Sequence, residues 1–272
     1  MTRENRHELA EREVLYTLPE AHVGPTVVRT FPGDDGDPLA TELYYPAAAN
    51  STASTVPAVV LVCGYPGEGM RKMLGCRFRE MGSTVSWAKL IAASGLAAVT
   101  YDNTQPEADL IALLKWLDRN GESLGIDRAR IGLWASSGNV PLALSLLTSA
   151  HPFVSFAACL YGYTVDRDDS TLVKEAADAF RFVAPFADPH LENIRRDAAL
   201  CLVRAGGDAM PGLNAALDRF VTAALARNLD LTLINVPSAV HAFDLFDDGK
   251  ATAGAVEAVL RFLQQRAGLG RG

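Results

Sequence analysis

Arg130-Ile131-Gly132-Leu133-Trp134-Ala135-Ser136-Ser137-Gly138-Asn139-Val140-Pro141 runs from an apolar, strand-like segment straight into a helix through small residues. That is the local pattern of a nucleophile elbow, in which a serine on a tight strand-to-helix turn projects its hydroxyl at the C-terminal edge of a sheet. The helix behind it presents backbone N–H groups and a positive dipole end to a developing oxyanion. The motif G-x-S-x-G is met imperfectly. Centred on Ser137, Ala135 and Asn139 stand in the glycine places; centred on Ser136, Gly138 restores the second glycine but Trp134 takes the first. An indole at the closest-packed point is worse than a methyl, and Asn tolerates unusual backbone angles, so Ser137 is the favoured frame. A Ser-rich turn that merely caps a crossover helix fits the same residues.

Working outward, apolar β-branched runs alternate with segments of helical period, the pattern of a mostly parallel sheet flanked by helices. Eight strands are predicted: Thr26–Thr30, Thr41–Tyr45, Ala58–Cys63, Leu96–Tyr101, Arg130–Trp134, Val154–Tyr161, Ala199–Arg204 and Leu231–Val236. Turn residues Pro32 to Pro38 join the first two as an antiparallel hairpin. Helices are predicted over Ser83–Ser94, Pro106–Arg119, Gly138–Ser149, Pro211–Arg227 and Gly249–Gln265. A charged, helix-prone insertion over 166–197 reads either as a small helical cap or as an elongated crossover. Nothing else divides the chain, so all 272 residues read as one α/β domain.

An elbow serine needs a base and an acid at later strand ends, in the order Ser, Asp, His. Asp208 follows the seventh strand, where Gly206 and Gly207 give the chain freedom to turn. His241 follows the eighth. Imidazole titrates near neutral pH and can take the serine proton, and a carboxylate fixes its tautomer. Asp244 and Asp247 compete for the acid role, but they follow the histidine and read as opening the last helix. His7, His22, His151 and His190 read as surface residues. For the oxyanion, the expected donors are the amides of Gly138 and of Tyr65 in the loop Cys63-Gly64-Tyr65-Pro66-Gly67-Glu68-Gly69, since Pro66 has no N–H. Arg71, Lys72, Arg77 and Arg79 form a basic run that either selects an anionic substrate or is a solvated face.

Composition excludes other classes. A net charge of −7 argues against a nucleic-acid partner. The polar N-terminus has no apolar signal core, and no apolar run reaches the ~20 residues needed to span a bilayer. The four cysteines show no metal-ligand spacing. There is no P-loop, and the expected chemistry needs neither metal nor organic cofactor. The expected partner is a small ester or lactone, the expected location cytoplasmic; monomer and homodimer both stay open.

Three segments carry a resemblance: Gly132 to Asn139, Gly207-Asp208-Ala209-Met210-Pro211, and His241-Ala242-Phe243-Asp244. From about Pro25 to the C-terminus the chain resembles the α/β-hydrolase superfamily, and within it the dienelactone-hydrolase-like group. The resemblance implies an α/β-hydrolase fold and a triad of Ser137, Asp208 and His241. Dienelactone hydrolases proper carry a cysteine nucleophile where this chain has serine.

Overall fold

All eight expected strands are present in the computed structural model, which describes residues 6–18, 23–47, 55–147, 152–185 and 193–269. They are β1 (Val23–Pro32), β2 (Pro38–Pro46), β3 (Val56–Leu61), β4 (Ala97–Tyr101), β5 (Ile126–Ser136), β6 (Val154–Leu160), β7 (Ala199–Ala205) and β8 (Asp230–Val236). One sheet holds them in the order β1-β2-β4-β3-β5-β6-β7-β8. β1 and β2 form the expected antiparallel hairpin, and β2 meets β4 antiparallel. All other pairs are parallel. The central strands are buried on both faces, which is why they read as continuous apolar runs rather than alternating ones.

The helices are α1 (Glu8–Glu11), α2 (Gly67–Leu74), α3 (Gly82–Ala93), α4 (Pro106–Asn120), α5 (Val140–Ser145), α6 (Leu172–Phe180), α7 (Leu213–Ala226) and α8 (Lys250–Arg266). In α4 the stripe Leu110, Leu113, Leu114 and Leu117 is buried as its spacing predicts, with Pro106 in the first turn. The stripes of α7 and α8 are buried likewise. Two expectations needed correction. The helix expected over 138–149 is divided: a 3-10 turn, Ser137–Asn139, precedes the short α5, and 148–149 lie outside the described residues. The helix expected from Pro211 starts at Leu213, because Gly212 adopts a left-handed φ of 69° ahead of it.

The strand order locates a crevice. The chain steps from β3 toward β1 to form β4, then returns across β3 to form β5 and continues toward β8. Right-handed crossovers taken in opposite directions put their helices on opposite faces, so a cleft opens at the carboxyl ends of β3 and β5. Those two ends are locked side by side: Leu61 pairs with Trp134, and the Val62 amide donates to the Trp134 carbonyl at 2.9 Å. The loop from Cys63 and the turn at Ser137 therefore emerge together. Beside them a small apolar cluster of Tyr163, Val173, Ala176, Phe182, Leu213 and Ala216 joins α6 to α7, separate from the main core.

Candidate active site

β5 ends at Ser136, and Ser137 takes a φ of 54°, left-handed for a non-glycine residue. Such a residue costs about 1–3 kcal/mol and persists where its surroundings hold it. Here the Val140 amide donates back to the Ser137 carbonyl, closing the 3-10 turn. Asn139 itself has ordinary helical angles, φ −84° and ψ −16°. The sequence argument from its tolerance of unusual angles therefore fails at that position. Asn139 acts through its side chain: Oδ1 accepts from the Gly64 amide at 2.7 Å, and Nδ2 donates to the Ser136 carbonyl at 3.0 Å. At position 138 any side chain would force its neighbours to shift. A Cβ there would stand 2.3 Å from the Tyr65 hydroxyl and 2.7 Å from the Phe182 ring.

The three residues read from separate strand ends come together. Ser137 Oγ lies 2.8 Å from His241 Nε2, and His241 Nδ1 lies 2.7 Å from Asp208 Oδ2. The Asp208 side chain is fully buried, whereas His241 is 26% exposed and so open to a substrate. The other Asp208 oxygen accepts from the Met210 amide at 2.9 Å. Gly206 and Gly207 do not use left-handed angles, contrary to the turn argument. At Gly206 the reason for glycine is contact, because a Cβ would meet the Pro237 carbonyl at 2.2 Å. That close approach brings the Asp208 turn against the loop carrying His241.

Ser136, the alternative frame, is hydrogen-bonded to the Tyr161 hydroxyl, whereas His241 is bonded by Ser137. Asp244 does not open the last helix but lies in a 3-10 turn, Phe243–Leu245, ahead of it. It is fully buried and accepts from Trp87 Nε1 and Tyr161 Oη, each at 2.8 Å. Burial pushes its carboxyl pKa up in spite of those two donors. The Tyr161 ring lies edge-on to His241, with centroids 5.3 Å apart. Asp247 does stand ahead of α8, accepting from Thr252 and from Gly249. His7 is exposed and caps α1; His22, His151 and His190 lie outside the described residues.

The loop after β3 is built so that its other polar groups are taken. Cys63 N–H bonds to Tyr101 Oη, Gly64 N–H to Asn139, and Gly67 N–H to Asn103. The Gly64 carbonyl accepts from the Val183 amide at 2.8 Å. Among the described residues the amides of Tyr65 and Gly138 meet no protein acceptor, which leaves them able to face an oxyanion. Sequence reasoning missed Val183, since a backbone amide leaves no mark on residue type. It also missed α2, whose Gly67 and Gly69 hide a helix that buries Met70 and Leu74.

The basic run divides: Arg71 and Lys72 lie on the solvated face expected of it, whereas Arg77 and Arg79 are held in ion pairs. Arg79 bonds Asp102 at 2.9 Å and pairs with Glu42, and Arg77 pairs with Asp102, which is itself buried. Arg71 pairs with Glu68 at the surface.

No protein-family model matches the chain, and no curated protein does. Solved structures do. Esterase LipW from Mycobacterium marinum superposes with a TM-score of 0.67 at 17% identity, over 90% of this chain and 82% of that one. A bacterial heroin esterase gives 0.69 at 17% identity, over 92% and 86%. Carboxyl esterase 2 from the mycorrhizal fungus Tuber melanosporum gives 0.67 at 17% identity, over 96% and 92%. The chain therefore has the α/β-hydrolase fold expected of it, an eight-stranded, mostly parallel sheet with flanking helices. No helix among the described residues is long and apolar enough to cross a membrane.

Proposed function

We propose that the chain is a serine hydrolase that cleaves a carboxylic ester or lactone through an acyl-enzyme intermediate. The observation that carries this is the continuous contact Ser137 Oγ, His241, Asp208, at 2.8 and 2.7 Å, on a serine held at left-handed φ. The esterase identity of the solved structures that share its fold supports the same reading. The segments 207–211 and 241–244 resemble the dienelactone-hydrolase-like group, with serine in place of cysteine. Four buried free cysteines suit a reducing, cytoplasmic setting.

In the proposed reaction Asp208 holds the proton on His241 Nδ1, so Nε2 is free to accept the Ser137 proton. The serine oxygen attacks the carbonyl carbon, and the Tyr65 and Gly138 amides receive the oxyanion. His241 returns the proton to the leaving alcohol. Water, activated by the same imidazole, then releases the acid and restores the serine. Each oxyanion donor in such a site contributes about 3–4 kcal/mol to transition-state stabilisation. The insertion over 166–197 acts as a cap on this site, its described part reaching the oxyanion loop through Phe182 and Val183.

A fluorophosphonate probe tests the assignment. One equivalent of label is expected on the wild type and none on Ser137→Ala, with p-nitrophenyl ester hydrolysis lost in parallel. Labelling that survives Ser137→Ala and disappears in Ser136→Ala would overturn the choice of nucleophile.

A further inference from the structure

We infer that a cavity beside Ser137 binds an uncharged apolar substituent of the ester, of short to medium length, and that Leu9 sets that length. The inference rests on the hydrolase reading above and names the substrate class of the same site. The cavity has a volume of about 220 Å³, with Ser137 and His241 on its wall. Away from them it is lined by Leu9, Met70, Leu74, Phe78, Met81 and Leu245, and no Asp, Glu, Lys or Arg lines it.

Two physical arguments define the occupant. A cavity of this size exceeds the roughly 150 Å³ that accepts benzene, so it fits one ring or a chain of about four to eight carbons. A carboxylate or phosphate placed there would be desolvated with no cationic side chain on the wall to pair with, which is strongly unfavourable. The nearby arginines offer no rescue, because Arg77 and Arg79 are held by Asp102 and Glu42. Methionines at Met70 and Met81 give the wall unbranched side chains that adapt to different apolar shapes.

Leu9 reaches the cavity because the N-terminal segment is fastened across it. His7 N–H donates to the Leu74 carbonyl at 3.1 Å, and Leu15 N–H to the Asp244 carbonyl at 2.9 Å. Between these ties Ala10 and Val14 are buried in the core. The far wall is thus a separate piece of chain that can vary without disturbing the elbow.

The experiment uses esters graded from acetate to decanoate on the acyl side and, separately, on the alcohol side. With wild type, kcat/KM is expected to rise about threefold to fourfold per methylene on one of the two sides, then fall beyond roughly eight carbons. The adipate monoester should react at least about a hundredfold more slowly than the hexanoate. Leu9→Phe, which fills the cavity, and Met81→Ala, which enlarges it, should move the optimum in opposite directions, changing the hexanoate-to-acetate ratio by about tenfold. A flat length profile on both sides, with hydrolysis still dependent on Ser137, would sink the cavity proposal and leave the hydrolase reading standing. Absence of any Ser137-dependent hydrolysis or labelling would remove the hydrolase reading instead. The cavity is then judged alone by titrating wild type with 1-butanol and 1-hexanol and following Trp87 and Trp134, which also line it. Hexanol binding about tenfold tighter supports the apolar cavity, and equal binding overturns it.

Discussion

The side-chain carbonyl of Asn139 accepts the Gly64 amide at 2.7 Å, joining the nucleophile turn to the loop after β3. One of the two residues that break the elbow consensus is therefore a strut between the two loops proposed to supply the oxyanion donors. Restoring the consensus with Asn139→Gly should weaken the site. It frees the Gly64 amide and the Ser136 carbonyl, each now bonded to that side chain. We expect kcat to fall about tenfold with KM little changed, in line with roughly 1.5 kcal/mol for the lost alignment. Steady-state kinetics on one ester checks this, and an unchanged kcat refutes it.

On the other side of the same glycine, Val183 N–H holds the Gly64 carbonyl at 2.8 Å. The Gly64 carbonyl and the Tyr65 N–H belong to one planar trans peptide and point in opposite directions. Fixing the carbonyl therefore fixes the amide that would face the oxyanion. Val183→Pro removes the donor. It should lower kcat about tenfold to a hundredfold and weaken a trifluoromethyl ketone inhibitor in proportion, since both depend on a tetrahedral oxyanion. Loss of substrate affinity alone, with inhibitor binding intact, would argue against the role.

Gly138 lies under the Tyr65 hydroxyl and the Phe182 ring, with no room for a methyl. Gly138→Ala should cut kcat/KM by about a hundredfold or more, through a displaced turn rather than lost chemistry. Tyr65→Phe alone keeps the Tyr65 amide and should stay near wild type. Combined with Gly138→Ala it removes the closer of the two clashes, so the double variant should recover part of the activity. A double-mutant cycle reads this coupling directly, and strict additivity would show that the hydroxyl is not the obstacle.

Much of this arrangement was legible in the sequence because it depends on strand ends. Apolar runs marked all eight strands, and polar residues after three of them marked Ser137, Asp208 and His241 as candidates. What stayed hidden depends on tertiary contact. Asp244 and Asp208 are the same residue type and both side chains are buried; their partners separate them, His241 for Asp208 and Trp87 with Tyr161 for Asp244. The basic run looked like free charge because its partners, Glu42 on β2 and Asp102 just after β4, are distant in the chain. Leu9 precedes every predicted element, and nothing in its spacing ties it to a cavity wall.

Asp109 offers a test of how the sheet edge is held. It is buried near the start of α4 and accepts from the amides of Asp34 at 2.9 Å, Thr104 at 2.7 Å and Gln105 at 2.8 Å, and from the Thr104 hydroxyl. Burial by itself raises a carboxyl pKa, but these donors outweigh it and hold Asp109 below its ordinary value. The folded state then binds the proton less tightly than the unfolded state. The stabilisation is fully present above the ordinary carboxyl range, about pH 4, and is lost as pH falls through the folded pKa. Asp109→Asn should cost about 2 kcal/mol at pH 7, because an amide cannot accept at both positions. The gap between wild type and variant in urea unfolding should narrow as the pH is taken below about 4. A gap that stayed constant or widened in acid would mean that the ionised carboxylate is not what ties the loop at Asp34 to the first turn of α4.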